Sequence, residues 1–136
     1  MTEFPSPYGL PSDYLPQKPP MQVLDRILSI TEDAVSCGCD PGPAGPLGAF
    51  RGERGALPAE VAVELLAQTV GVWAGFCRRA RNKAAPAGEK DAPAGFLLSV
   101  RGMKVCAQGI PGEGLLTITM EKLVYEDSMG SFEGRI

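Results

Sequence analysis

The sequence predicts an α+β fold in which one long helix lies against one face of an antiparallel sheet. Three observations support this: an alternating apolar–polar hairpin near the N-terminus, one long apolar helical pattern, and further strand-like runs toward the C-terminus. The chain has 136 residues, of which 44% are hydrophobic and 21% charged. These values are ordinary for one globular domain, so we expect a single domain over residues 1–136.

The N-terminal part is expected to hold an extended arm, a hairpin and a long loop. Residues 1–20 are Pro-rich and aperiodic, which favours an extended arm. Loose alternation over residues 22–31 and clearer alternation over residues 34–39 predict two strands joined by a short turn. Residues 40–57 are dense in Gly and Pro, and therefore predict a loop.

One strong helix is predicted over residues 57–80. Pro58 suits its first turn, because an N–H at that position would have no partner within the helix. Arginines at the far end suit a helix C-terminus, where positive charge is stabilising. Residues 82–94 have the composition of a polar linker. Strand-like patterns then cover residues 95–106, 115–126 and 129–136.

One arc of this helix is predicted to face either a partner chain or a polar ligand. At about 100° per residue, Glu60, Glu64 and Gln68 fall on one arc. Gly71 and Gly75 continue it, and such small residues allow another backbone or a ligand to come close. The alternative is a solvated helix edge at which the two glutamates contact water.

Charge and cysteine content argue against several classes of function. The net charge is −3 and no long basic cluster is present, which argues against a nucleic-acid partner. The four cysteines form no Cys-x-x-Cys pair and the chain has no histidine, so we expect reduced thiols and no metal.

The uncharged part of the helix is too short for a membrane span. With no apolar signal core at the N-terminus, a cytoplasmic protein is expected.

Two motifs carry a resemblance to a known family. Residues 15–20 (LPQKPP), followed by Asp25-Arg26, resemble the opening Leu-Pro-His-Arg-x-Pro and Asp-Arg of the hydroxyacyl-ACP dehydratases. Residues 64–68 (ELLAQ) resemble the family's Glu-x-x-Ala-Gln. The order of hairpin, Gly/Pro loop, helix and strands matches over nearly the whole chain. The details come closest to the dehydratase-like proteins of aryl-polyene and similar lipid gene clusters.

The resemblance implies a hotdog fold, in which a curled antiparallel sheet wraps around one long central helix. It also implies a dimer whose active site lies between subunits and needs no metal or organic cofactor. In the family, a loop histidine removes the α-proton of a 3-hydroxyacyl thioester, and a glutamate of the other subunit protonates the departing hydroxyl. Backbone N–H groups near the helix start polarise the thioester carbonyl.

Carried onto this sequence, the resemblance makes Glu64 the acid and Gln68 the amide that orients Glu64 or the motif loop. Gln17 occupies the position of the histidine. Glutamine does not titrate near neutral pH, so it cannot serve as the general base. The candidate substrate-binding residues are Gly52, Gly55, Gly71 and Trp73.

Three functions remain open on this sequence. The first is an acyl-thioester (acyl-ACP or CoA) binding protein of fatty acid or polyene lipid biosynthesis, with altered or lost dehydratase activity. The second is a hotdog thioesterase in which Glu64 activates water. The third is a non-catalytic subunit of a mixed dimer, in place of a homodimer. Because the family continues with one more strand, the C-terminal strand is expected to be missing here, through natural shortening or truncation.

Overall fold

The computed structural model describes residues 7–16, 21–42, 45–52, 55–81, 99–104, 109–112, 114–126 and 129–136. Its regular elements are β1 (Arg26–Ile30), β2 (Ala34–Cys39), α1 (Glu60–Arg81), β3 (Leu116–Glu126) and β4 (Met129–Arg135). The strands form one antiparallel sheet in the order β1-β2-β3-β4, and α1 contacts β2, β3 and β4 on one face. The predicted α+β arrangement is confirmed.

The first strand is shorter than the pattern over residues 22–31 predicts. Its ladder with β2 begins at Arg26, opposite Gly38. The ladder does not extend back to Val23, because the Val23 N–H donates its hydrogen bond to the side chain of Gln68 instead of to a neighbouring strand. At the other end, the hydroxyl oxygen of Thr31 accepts hydrogen bonds from two backbone N–H groups and closes the predicted turn.

The helix begins three residues later than predicted. Leu57 and Ile110 exchange main-chain hydrogen bonds of 2.9 and 3.2 Å in an isolated antiparallel bridge. Because this bridge uses extended backbone, the helix can form only after it, and α1 starts at Glu60. The strand predictions for residues 115–126 and 129–136 are confirmed to within one residue at each end.

Two sequence predictions reach beyond what the structure describes. The linker over residues 82–94 lies outside the described residues, as do the two ends of the strand predicted over residues 95–106. The part that is described, residues 99–104, is exposed and is not a strand. Gly102 there has a φ of 62°, a left-handed conformation that interrupts a strand.

The core lies between α1 and the inner face of the sheet. Alternate residues of β3 point toward the helix, as the period of two requires. The buried apolar strand residues pack in one cluster with Leu65 and Val72 of the helix; they are Ile30, Val35, Cys37, Cys39, Leu116, Ile118 and Met120. Among the described residues, one helix segment, 60–80, is long and apolar enough to cross a membrane, but half of it is buried inside the fold, as in a core helix.

The N-terminal arm is more ordered than its composition predicts. Its described part, residues 7–16, contains one 3-10 turn at Pro11–Asp13. Tyr14 lies directly over Gly75, where an added Cβ would be 3.0 Å from the Tyr14 carbonyl oxygen. An added Cβ at Gly71 would be 2.9 Å from the Leu15 side chain. In the single chain the glycine half of the predicted arc is therefore covered by the chain's own arm, and a contact with a partner or a ligand there remains a prediction.

Candidate active site

Gln68 is the centre of the candidate site, because its side chain connects the helix to two other groups. The residue is 1% exposed. Its Oε1 accepts a hydrogen bond from the Val23 N–H at 2.9 Å, and its Nε2 donates to the Met21 carbonyl at 2.9 Å. The same Nε2 donates to Oε1 of Glu64 at 2.7 Å. A buried amide with all of these partners is a rigid support, since breaking any contact leaves a polar group unpaired.

The helix itself places the acid beside the amide. Glu64 and Gln68 are four residues apart on α1, and side chains at that spacing are neighbours on one face. The amide N–H of Gln68 fixes the Glu64 carboxyl in one position above the helix. The orienting role predicted for Gln68 thus has a geometric basis in this contact, although its catalytic role remains a prediction.

Glu64 is exposed in the single chain, whereas a position beside an apolar channel was expected. One cavity on the described part of the sheet is lined by Thr119, Glu121, Glu133, Gly134 and Arg135 and does not include Glu64. A channel beside Glu64, formed with a second subunit over this face of α1, remains a prediction.

Gln17 lies outside the described residues, so the structure does not test its predicted role. The described residues on either side of it both contact α1. Leu15 packs against the helix at Gly71, and the carbonyl of Met21 accepts a hydrogen bond from Gln68.

The two loop glycines are engaged within the loop itself. The Gly52 N–H donates to the Ala56 carbonyl at 2.9 Å, and the Gly55 N–H donates to the Gly52 carbonyl at 2.9 Å. Gly55 also has a φ of 75°, which favours glycine. Both residues therefore shape the loop, as expected from the sequence, and a contact between either amide and a thioester carbonyl remains a prediction.

The two helix residues predicted to contact substrate are packed inside the chain. Gly71 contacts Leu15 of the arm. Trp73 is 2% exposed, and its indole N–H donates to the Thr31 carbonyl at 3.2 Å. Its ring makes edge contacts with Tyr125 and Phe132 at centroid distances of 5.2 and 5.4 Å. Trp73 is thus a core residue in the single chain, and a contact between either residue and substrate remains a prediction.

The thiols of the core are unsuited to nucleophilic chemistry. Cys37, Cys39 and Cys77 are buried, and none of the three is in a disulfide. Burial raises the pKa of Cys37 to about 12, and burial together with nearby carboxylates raises the pKa of Cys39 to about 12. Since the thiolate is the reactive form, Cys37 and Cys39 are inert near neutral pH. Within the described ranges, no group of three acidic, cysteine or histidine residues is placed to hold a metal ion.

One residue of the loop before α1 was missed by sequence reasoning. The guanidinium of Arg51 donates to the carbonyl oxygens of Pro41 and Gly112, 10 and 61 residues away. A lone arginine in a Gly/Pro-rich loop carries no local pattern that predicts such long-range contacts.

The folded chain has the architecture of a hotdog protein of the dehydratase type. Among solved structures it is similar to a chain of the dehydratase heterocomplex ApeI:P from Xenorhabdus doucetiae. The two share 30% sequence identity and a TM-score of 0.78, over 93% of this chain and 80% of that chain. The hotdog fold predicted from the sequence is confirmed.

The family assignment rests on a second comparison. The family model for ApeP-like proteins, described as ApeP dehydratase, matches residues 10–136. This chain therefore belongs to the ApeP-like dehydratase family, and the recognition based on residues 15–20 and 64–68 is confirmed. No curated protein matches the chain.

Proposed function

We propose that this chain is an acyl-thioester-binding subunit of a dehydratase whose site is completed by a second, histidine-bearing hotdog chain. The observation that carries the proposal is the Gln68 amide, which is buried and holds the Glu64 carboxyl at the surface of α1. An acid is thus positioned in a chain that has no histidine to act as its base. Fatty acid or polyene lipid biosynthesis in the cytoplasm is the proposed setting.

In the proposed reaction, the substrate is a 3-hydroxyacyl thioester of acyl carrier protein or CoA. The partner's histidine removes the proton from the α-carbon, and the electron pair forms the double bond between the α- and β-carbons. The C–O bond at the β-carbon breaks, and protonated Glu64 supplies the proton with which the hydroxyl leaves as water. Proton return from histidine to Glu64 resets the site.

Two observations favour a mixed dimer over a homodimer. A homodimer of this chain would contain no histidine, and glutamine cannot replace it as a base. The similar chain from Xenorhabdus doucetiae belongs to a complex described as a heterocomplex. A second chain over the exposed Glu64 would also exclude water from the carboxyl.

Reconstitution tests this proposal. The chain is purified alone and together with a histidine-bearing hotdog subunit encoded beside it, and water loss from 3-hydroxyacyl-ACP is followed by mass spectrometry. We expect turnover only from the mixed complex. Gln17→His should give the chain alone measurable dehydration, since the remaining groups are present. Efficient turnover by the unmodified chain alone would contradict the proposal, as would an inactive mixed complex.

A thioesterase is the second candidate, because hotdog thioesterases also use an acidic residue with amide neighbours, as in the Glu64–Gln68 contact. This alternative predicts release of free thiol from acyl-CoA or acyl-ACP by the chain alone, abolished by Glu64→Ala. Thiol release that survives this substitution would exclude a Glu64-dependent thioesterase.

A further inference from the structure

The loop that leads into α1 is fastened to the turn that precedes β3. We refer to residues 45–52 and 55–59 as the pre-helix loop, and to residues 109–112 as the facing turn. Leu57 of the loop and Ile110 of the turn exchange two main-chain hydrogen bonds. The bridge ends just before α1 begins at Glu60, so the position of the facing turn determines where the helix starts.

The two segments are in direct backbone contact. A Cβ built on Gly112 would overlap the carbonyl oxygen of Gly55, so no side chain fits at position 112. A Cβ built on Gly109 would lie 2.8 Å from the carbonyl oxygen of Leu57. The backbones of the loop and the turn therefore lie against each other at two points.

The side chain of Arg51 also connects the loop to the turn. Its Nη1 donates to the Gly112 carbonyl at 2.5 Å and to the Pro41 carbonyl at 3.1 Å. Its Nη2 lies 2.9 Å from the point at which a Gly55 Cβ would stand, so the guanidinium also packs against the loop backbone. One side chain thereby joins the start of the long Gly/Pro loop, the end of that loop and the facing turn.

We propose that Arg51 is a positioning residue that fixes the pre-helix loop, and with it the first turn of the helix that carries Glu64. Hydrogen bonds from a charged donor are stronger than neutral ones, and a planar guanidinium can serve two acceptors in a fixed geometry. Lysine offers a point charge without that geometry. The role of Arg51 in fixing the loop does not depend on the proposed function. Only the reaction assigned to Glu64 rests on the proposed function.

The test uses the mixed complex with Arg51→Ala, Arg51→Lys and the control Arg101→Gln, which removes an arginine from an exposed segment. Amide hydrogen exchange is measured at Gly52, Gly55 and Leu57, and kcat and KM are measured for dehydration. We expect Arg51→Ala to speed exchange at these amides and to lower kcat on the order of tenfold, with a smaller change in KM, because displacing reacting groups by a fraction of an ångström is costly. Added guanidinium ion should restore kcat, and Arg51→Lys should restore it only in part.

The outcomes distinguish a failure of the positioning role of Arg51 from a failure of the proposed dehydratase function. Unchanged exchange in Arg51→Ala overturns the role of Arg51, whatever the complex catalyses. Faster exchange with unchanged kcat in an active complex shows that the contact is only structural, and also overturns it. A wild-type complex without turnover overturns the proposed function instead, and exchange at the three amides then decides whether Arg51 fixes the loop. If Arg51→Ala does not fold, the same measurements on Arg51→Lys give the decision.

Discussion

Replacing Gln68 by leucine should show how much the buried amide contributes to the free energy of unfolding. Leucine has a similar size but no polar atom, so all three hydrogen bonds of the side chain are lost. The Met21 carbonyl and the Glu64 carboxyl lie near the surface and can turn to water. The N–H of Val23, a buried residue, cannot.

The expected loss of stability on Gln68→Leu follows from the unpaired Val23 N–H. A buried donor left without a partner costs about 1–3 kcal/mol. With a urea m-value of about 2 kcal/mol/M, a loss of about 2 kcal/mol moves the unfolding midpoint by about 1 M. Glu64→Gln is the matched control, because it keeps an acceptor for the Gln68 amide on an exposed side chain. Its stability should stay within about 0.5 kcal/mol of wild type, as for most surface substitutions.

Urea unfolding of the purified chain, followed by far-UV circular dichroism, measures both variants. The reasoning is refuted if Gln68→Leu unfolds at the wild-type midpoint with an unchanged slope. It is also refuted if Glu64→Gln costs as much as Gln68→Leu, because the carboxyl contact rather than the Val23 contact would then dominate.

Further outcomes follow from the arm and from the core thiols. Gly75→Ala should destabilise the chain by about 1–3 kcal/mol, because the added Cβ meets the Tyr14 backbone. Gly71→Ala should cost much less, because its Cβ meets only a flexible Leu15 methyl. Equal unfolding midpoints in urea would contradict the packing of the arm against Gly75. The folded pKa of about 12 for Cys37 and Cys39 lies above their ordinary value of 9.0. The unfolded chain therefore loses these protons first as pH rises, and the free energy of unfolding should fall above about pH 9. Cys37→Ala should flatten that fall; a slope identical to wild type would argue against a buried, protonated thiol.

The fold was predictable because its elements have strong local patterns. The apolar helix pattern and the alternating strands identify α1, β2, β3 and β4, and the motifs at residues 15–20 and 64–68 together identify the family. The acid–amide pair was predictable for the same reason, since a spacing of four residues makes neighbours on any helix.

The remaining details depend on contacts between distant parts of the chain. Two of the three partners of Gln68 lie 45 and 47 residues away, and the hydrogen bond that the Val23 N–H donates to Gln68 shortened β1. Gly71 and Gly75 looked like a seam for a partner because composition does not reveal that the arm folds back onto them. Arg51 was missed because its partners are backbone carbonyls, which have no signature in the sequence.

The most direct test of the central claim is the turnover of 3-hydroxyacyl-ACP by the mixed complex in which this chain carries Glu64→Gln. The variant keeps the side-chain shape and an acceptor for Gln68, so the complex should form as in wild type. The account predicts that kcat falls by about 10²–10⁴-fold, as expected when a general acid is removed. A complex of normal composition that keeps wild-type kcat would contradict it.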